Sequence, residues 1–382
     1  MEPQWLPTRR DFIRTVGWAP PAAVGIALAG IGCAQGVQTM DDSFYVRPEE
    51  LRLRYRAPKA ERQVSFSRHG GSPEEWREAC RRKLAELIGY ELPEVREARR
   101  LRVAEHEGVR VEAWVMEVGE GTSMPAYLLV PPAPRAGDRA VMAIHGHGNV
   151  EAIVGQTDDY HHCFALRLAQ AGHLVLCPAL RGFGPLANMT ARDPGYCLDY
   201  WAWGRGPQFT LVTDGFLRGE TLIGQTVEDL VRWEKWLART HGVREVDVAG
   251  ISYGGDLAIT YPAFSDRLRR IYASGTLGSI VPIFARCYNA PAHCIPGILR
   301  WMDRSDIAGL SAPRPIRLHY GELDTPGPDN NSASYNETVQ PALTELRAIY
   351  GAFGAADRVS LHVTPAAKHE MDNDDLLAFL GG

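Results

Sequence analysis

The feature that most limits how this chain can fold is the run Val246-Asp247-Val248-Ala249-Gly250-Ile251-Ser252-Tyr253-Gly254-Gly255. An apolar strand passes directly into Gly-x-Ser-x-Gly and then into a helix-like segment. So short a strand-to-helix turn forces the serine into a strained backbone and raises its hydroxyl at the carboxyl end of a sheet. Gly250 and Gly254 matter because a side chain at either position would collide across the turn. The five-residue pattern alone also fits an ordinary turn, where Gly and Ser are common. The flanking strand and helix favour Ser252 as a nucleophile.

Three other segments extend this reading. Residues 316–320 alternate as a strand does and lead into Gly321-Glu322-Leu323-Asp324. Residues 359–363 alternate likewise and lead into Ala367-Lys368-His369-Glu370. The chain order is therefore Ser, Asp, His, each just after a strand. Upstream, the strand 141–144 runs into the Gly-rich loop His145-Gly146-His147-Gly148. Serine needs an adjacent base to become nucleophilic. His369 is expected to be that base, and Asp324 to hold its tautomer. Glu322 is the rival acid, two residues earlier. His369 is set apart from the other eleven histidines by its place after the last strand.

These segments, with Arg181-Gly182-Phe183-Gly184 and Ala312-Pro313-Arg314-Pro315, resemble the α/β-hydrolase superfamily from about residue 140 onward. Within it they are similar to dienelactone-hydrolase-like and acetylxylan-esterase-like enzymes of bacteria. The resemblance implies an α/β-hydrolase fold: a mostly parallel, doubly wound sheet with helices on both faces. It also implies serine-hydrolase chemistry with catalytic Ser252, Asp324 and His369. The peptide N–H of Tyr253 and one from the 145–148 loop, with His147 preferred, would line an oxyanion hole. Lys368 and Glu370 flank the histidine where many relatives carry Gly before it, and a charged neighbour there can tilt the imidazole pKa.

The organisation expected is a signal segment (1–34), an N-terminal accessory helical region (35–98) and a catalytic domain (99–382). Ser72-Pro73-Glu74-Glu75 marks a capped helix start, followed by an apolar stripe of Trp76, Cys80, Leu84 and Leu87. Antiparallel strands are expected over 101–115 and 126–130, and helices over 159–171 and 220–240. Insertions near 186–217 and 281–312 carry aromatics, including Trp201 and Trp203, and are read as pocket walls. Arg181, Trp201 and Trp203 are candidate substrate contacts, and a loop-pinning role is the alternative for Arg181. Cys177 reads as a buried free thiol, while Cys197, Cys287 and Cys294 are the better disulfide candidates.

Composition excludes some partners. A net charge of −5 without a basic block argues against nucleic acid. The histidines at 145, 147, 161 and 162 offer nitrogens of the kind zinc takes, but no His-Glu-x-x-His helix accompanies them, and the triad accounts for more residues. No metal or cofactor is expected. A non-catalytic scaffold is the other rival, and the complete Ser, Asp and His set argues against it. The substrate expected is a small-molecule or carbohydrate ester, possible acetyl esters included; a peptidase or amidase with the same triad is the alternative.

Thr8-Arg9-Arg10-Asp11-Phe12-Ile13-Arg14 is close to a twin-arginine signal, and the interrupted apolar run 16–31 falls short of the ~20 residues of a membrane span. Export through the twin-arginine machinery is expected, to a periplasmic, secreted or envelope-anchored location. Gly30-Ile31-Gly32-Cys33 resembles a lipobox, so a lipidated Cys33 would tether the chain to a membrane. Gly32-Cys33-Ala34 also reads as a cleavage site that releases it. Mass spectrometry of the mature N-terminus is expected to find either a lipid on Cys33 or an unmodified start at Gln35; a chain retaining Met1 would reject the signal reading.

Overall fold

A computed structural model describes residues 62–119, 122–135, 137–184, 207–281, 291–325 and 338–381. Arg9, Arg10, Cys33, Cys197, Trp201, Trp203 and Cys287 lie outside these residues.

Three strands open the chain's sheet: β1 (Ala98–His106), β2 (Val109–Gly119) and β3 (Thr122–Val130), paired antiparallel. Pro131 and Pro132 follow β3, and Pro cannot extend a strand ladder. Then come β4 (Arg139–Ile144), β5 (Leu174–Pro178), β6 (Glu245–Ile251), β7 (Leu268–Ser274), β8 (Ile316–Gly321) and β9 (Val359–Thr364). The sheet order is β1-β2-β3-β5-β4-β6-β7-β8-β9. β3 meets β5 antiparallel, and every pairing from β5 to β9 is parallel.

After β4 the chain lays β5 on one side, and β6 then returns to the other side. Such a reversal opens a crevice at the carboxyl ends of the two central strands. The loop after β4 is His145–Gly148 and the residue after β6 is Ser252, so both arrive at that crevice.

The helices are α1 (Pro73–Ile88), α2 (Val150–Ile153), α3 (Phe164–Gln170), α4 (Pro207–Leu217), α5 (Leu222–His241), α6 (Tyr253–Thr260), α7 (Arg304–Gly309), α8 (Val339–Ala352) and α9 (Asn373–Gly381). Successive side chains of a strand face opposite ways, which the core reflects. Met142, Ile144, Val246 and Val248 pack with α1, α5, α6, α7 and α8. Val141, Ala143, Ala249 and Ile251 pack with α2, α3 and α9. A parallel sheet buried on both faces needs such continuous apolar strands.

Ser72 caps α1 in a reciprocal box with Glu75. Its buried stripe is Trp76, Cys80, Leu84 and Ile88, with Leu87 half-buried, and it joins the core of the sheet. The helix expected from residue 159 begins only at Phe164. Asp159 Oδ1 accepts from the His161 N–H at 2.9 Å, a local bond that competes with helical pairing. His162 and Cys163 then take left-handed φ values of 49° and 45°. Cys80, Cys163, Cys177 and Cys294 are free thiols. Cys177 is buried, as expected, whereas the disulfide expected of Cys294 is not formed.

Candidate active site

Ser252 sits between β6 and α6 with φ 59° and ψ −120°, the strained elbow conformation anticipated from its flanks. Its N–H donates to Ser274 O of β7 at 3.0 Å. Both glycines are sterically required. A Cβ on Gly250 would strike the Gly254 carbonyl, and one on Gly254 would strike the carbonyls of Ile144 and His145.

Asp324 follows β8 and His369 follows β9. The His369 Nδ1–H donates to Asp324 Oδ2 at 2.9 Å, and Asp324 is only 3% exposed. Glu322 is turned elsewhere: its Oε2 accepts from Ala366 N–H at 2.8 Å. The pair faces the elbow across Gly275. A Cβ there would lie 2.6 Å from His369 Cε1 and 3.3 Å from Asp324 Oδ2, and Gly275 holds φ 59°. Among the described residues Ser252 makes no hydrogen bond to His369. Its side chain lies beside the Tyr160 hydroxyl, and a Cβ on Gly146 would strike both. The Tyr160 ring in turn packs on His369, centroids 5.5 Å apart. Bonds of this kind commonly tighten only when substrate is bound.

The three strand ends are braced by a buried histidine. His319 exchanges hydrogen bonds with Ser274 Oγ at 2.8 Å and Thr364 Oγ1 at 2.9 Å, and Thr364 donates to Asp372. Because Thr364 gives its proton to the carboxylate, His319 must be the donor at Nε2 and the acceptor at Nδ1. Burial pushes its pKa down to about 4, in keeping with a neutral ring.

Glu370, the charged neighbour of His369, is spent on His162 at 3.0 Å. That hydrogen bond is the main reason its carboxyl pKa is lowered.

At the N-terminal end of α6 the Tyr253 N–H lies in the first helical turn, where peptide donors have no helical acceptor. His147 lies beside it. Its ring stacks on His293 at 5.3 Å and stands 6.0 Å from the Tyr253 ring. Burial and the adjacent His293 hold its pKa down to about 3. The His147 side chain is therefore neutral and brings no positive charge to an anion, while its peptide N–H is a donor that the 145–148 loop can offer.

Sequence reasoning missed the group behind this wall. Asp256, in the first turn of α6, accepts from Arg304 at 2.7 Å and also pairs with His293 and Thr276. No spacing in the sequence links these four residues. Arg181 grips both oxygens of buried Asp229 on α5, at 2.6 and 3.1 Å, so its guanidinium is engaged within the fold. Three of the four histidines raised as zinc ligands are occupied by hydrogen bonds, and the His147 ring instead stacks on His293, its Nε2 without a hydrogen-bond partner among the described residues. His145 bonds Gly146 O and Leu180 N, His161 bonds Gly146 N and Asp159, and His162 bonds Glu370.

No protein-family model and no curated protein matches the sequence. Solved structures do match. A protein from Bacteroides fragilis NCTC 9343 assigned as an acetyl xylan esterase aligns with TM-score 0.64 at 17% identity, over 82% of this chain and 80% of its own. A glucuronoyl esterase from Solibacter usitatus aligns with TM-score 0.55 at 13% identity, over 80% and 91%. The chain has the α/β-hydrolase fold. An acetyl xylan esterase from Paenibacillus sp. R4 shares this hydrolase fold with TM-score 0.51 at 13% identity, over 88% and 98%.

Neutral buried histidines make stability depend on pH. His145 and His147 are both depressed to about 3 by burial, against about 6.5 in an unfolded chain. Between those values the unfolded state binds more protons, so stability is lost as pH falls. Guanidinium unfolding is expected to give a lower free energy at about pH 5 than at about pH 7, with net proton uptake. A flat profile over that range would contradict the neutral assignment.

Proposed function

We propose that the protein is a serine carboxylic ester hydrolase. The observation that carries this reading is the Asp324–His369 pair set across Gly275 from a serine in the elbow conformation. As an ester enters, the Ser252 hydroxyl turns to His369 Nε2, which takes its proton as Oγ attacks the carbonyl carbon. Asp324 holds the Nδ1–H tautomer and stabilises the imidazolium. The oxyanion is received by the N–H groups of Tyr253 and His147, assisted by the partial charge at the α6 N-terminus. The tetrahedral intermediate collapses when His369 returns the proton to the departing alcohol, leaving an acyl-Ser252. Water, deprotonated by His369, then releases the acid by the reverse sequence.

Carbohydrate esters are the substrate class we favour. The structural neighbours named above are acetyl xylan and glucuronoyl esterases, and the neutral His147 ring brings no positive charge of its own to the oxyanion side.

Turnover of p-nitrophenyl acetate, longer acyl esters, acetylated xylan and aminoacyl amides tests the proposal. Ester cleavage insensitive to EDTA is expected, with kcat lowered about 10⁴-fold or more in Ser252→Ala and about 10⁴-fold in Asp324→Asn. Exclusive amide turnover, or full activity in Ser252→Ala, would overturn it.

A further inference from the structure

The 145–148 loop is held by side chains on three consecutive peptide groups. The Gly146 N–H donates to His161 Nε2 at 2.7 Å. The Gly146 carbonyl meets His145 Nδ1 at 2.8 Å. The His147 carbonyl accepts from the Tyr160 hydroxyl at 2.8 Å. In a trans peptide the N–H points away from its own C=O. Fixing the Gly146 carbonyl on His145 therefore aims the His147 N–H the opposite way, while the bonds on either side stop the plane from rotating. The His147 N–H itself makes no hydrogen bond among the described residues.

The tautomers are determined. His161 can accept from Gly146 at Nε2 only if its proton is on Nδ1, and Nδ1 lies 2.7 Å from Asp159 Oδ1. His145 accepts from the Leu180 N–H at Nε2, 3.2 Å away, so its proton is on Nδ1 and is given to Gly146 O. Both rings are buried, and burial lowers both pKa values.

The turn that supplies two of these side chains also holds the base loop. Tyr160 O accepts from the Met371 N–H at 2.9 Å, and His162 O accepts from Asn373 Nδ2 at 2.7 Å. With the His162–Glu370 contact, one five-residue turn at 159–163 touches the segment carrying His369 and the loop carrying His147. The left-handed residues His162 and Cys163 return the chain to α3 directly afterwards.

We infer that Tyr160 and His161 are positioning residues that present the His147 N–H to the oxyanion, with Asp159 orienting His161. The inference rests on the ester-hydrolase reading of the same site. The Tyr160 hydroxyl also lies beside Ser252, whereas the His161 ring bonds only Gly146 N–H and Asp159, so the His161 variants displace the donor without altering a bond to the nucleophile or the base.

Tyr160→Phe deletes only the hydroxyl and leaves the ring against His161 and His369. His161→Gln puts an amide oxygen where Nε2 accepted, and His161→Leu leaves Gly146 N–H without a partner. Losing an oxyanion donor outright costs about 10²–10³ in kcat. A displaced donor is expected to cost roughly 10- to 100-fold in Tyr160→Phe and His161→Leu, with KM little changed and His161→Gln restoring most of the loss. A second readout is specific to the oxyanion. Thiono esters develop charge on sulfur, a poorer hydrogen-bond acceptor, so the ester-to-thionoester rate ratio should narrow in the two impaired variants. That ratio would not move if these residues merely stabilised the fold. Wild-type kcat and an unchanged ratio in Tyr160→Phe would overturn the inference, as would His161→Gln as impaired as His161→Leu. If His161→Leu does not fold, Tyr160→Phe and His161→Gln still decide. Ser252→Ala run alongside separates the two levels. Activity surviving in it rejects the serine mechanism, whereas an inactive Ser252→Ala beside a wild-type-like Tyr160→Phe rejects only the positioning role.

Discussion

The close approach of α6 to the end of β4 is the contact on which the site depends. Gly254 has its Cα where any side chain would enter the carbonyls of Ile144 and His145, and Gly250 is similarly closed by Gly254. Because these backbones touch, the N-terminal end of α6 lies beside the loop that leaves β4. Ser252 is driven into its strained φ by the same geometry. Such strain persists only where the surroundings over-determine it. Here the surroundings are two central parallel strands, the Ser252 N–H bond to β7, and a helix buried along its length.

Around that contact, several polar groups are buried in hydrogen-bonded sets. Asp256 anchors the first turn of α6 to Arg304 and His293, and the guanidinium compensates a carboxylate that would be costly to bury unpaired. His319 ties together the ends of β7, β8 and β9, the strands that deliver Gly275, Asp324 and His369. The rings of His145, His147 and His319 are neutral because burial outweighs their polar neighbours. A neutral imidazole can accept a hydrogen bond as well as donate one. That capacity is what lets His145 and His161 each hold two groups of opposite kind.

Much of this was legible in the sequence. The strands were visible because a parallel sheet buried on both faces writes continuous apolar runs, and the elbow because its glycines are sterically required. Asp324 and His369 could be placed by their position after strands, and the structure joins them while turning Glu322 away. The capped start of α1 was legible for local reasons too. What escaped were contacts made at long range. Nothing adjacent to Asp256 announces His293 or Arg304, and Tyr160 and His161 read as the opening of a helix. Their turn exists because the Asp159 side chain bonds the His161 N–H, a competition that apolar periodicity does not register. Arg181 carried an ambiguity that only its partner, Asp229, could resolve.

The central claim is that Ser252 is the nucleophile primed by His369, and covalent trapping tests it most directly. After reaction with a serine-directed phosphonate, peptide mass spectrometry should find the adduct on Ser252, and His369→Ala should abolish its formation. An adduct on a different residue, or an enzyme that goes on hydrolysing esters with Ser252 unmodified, would contradict the account.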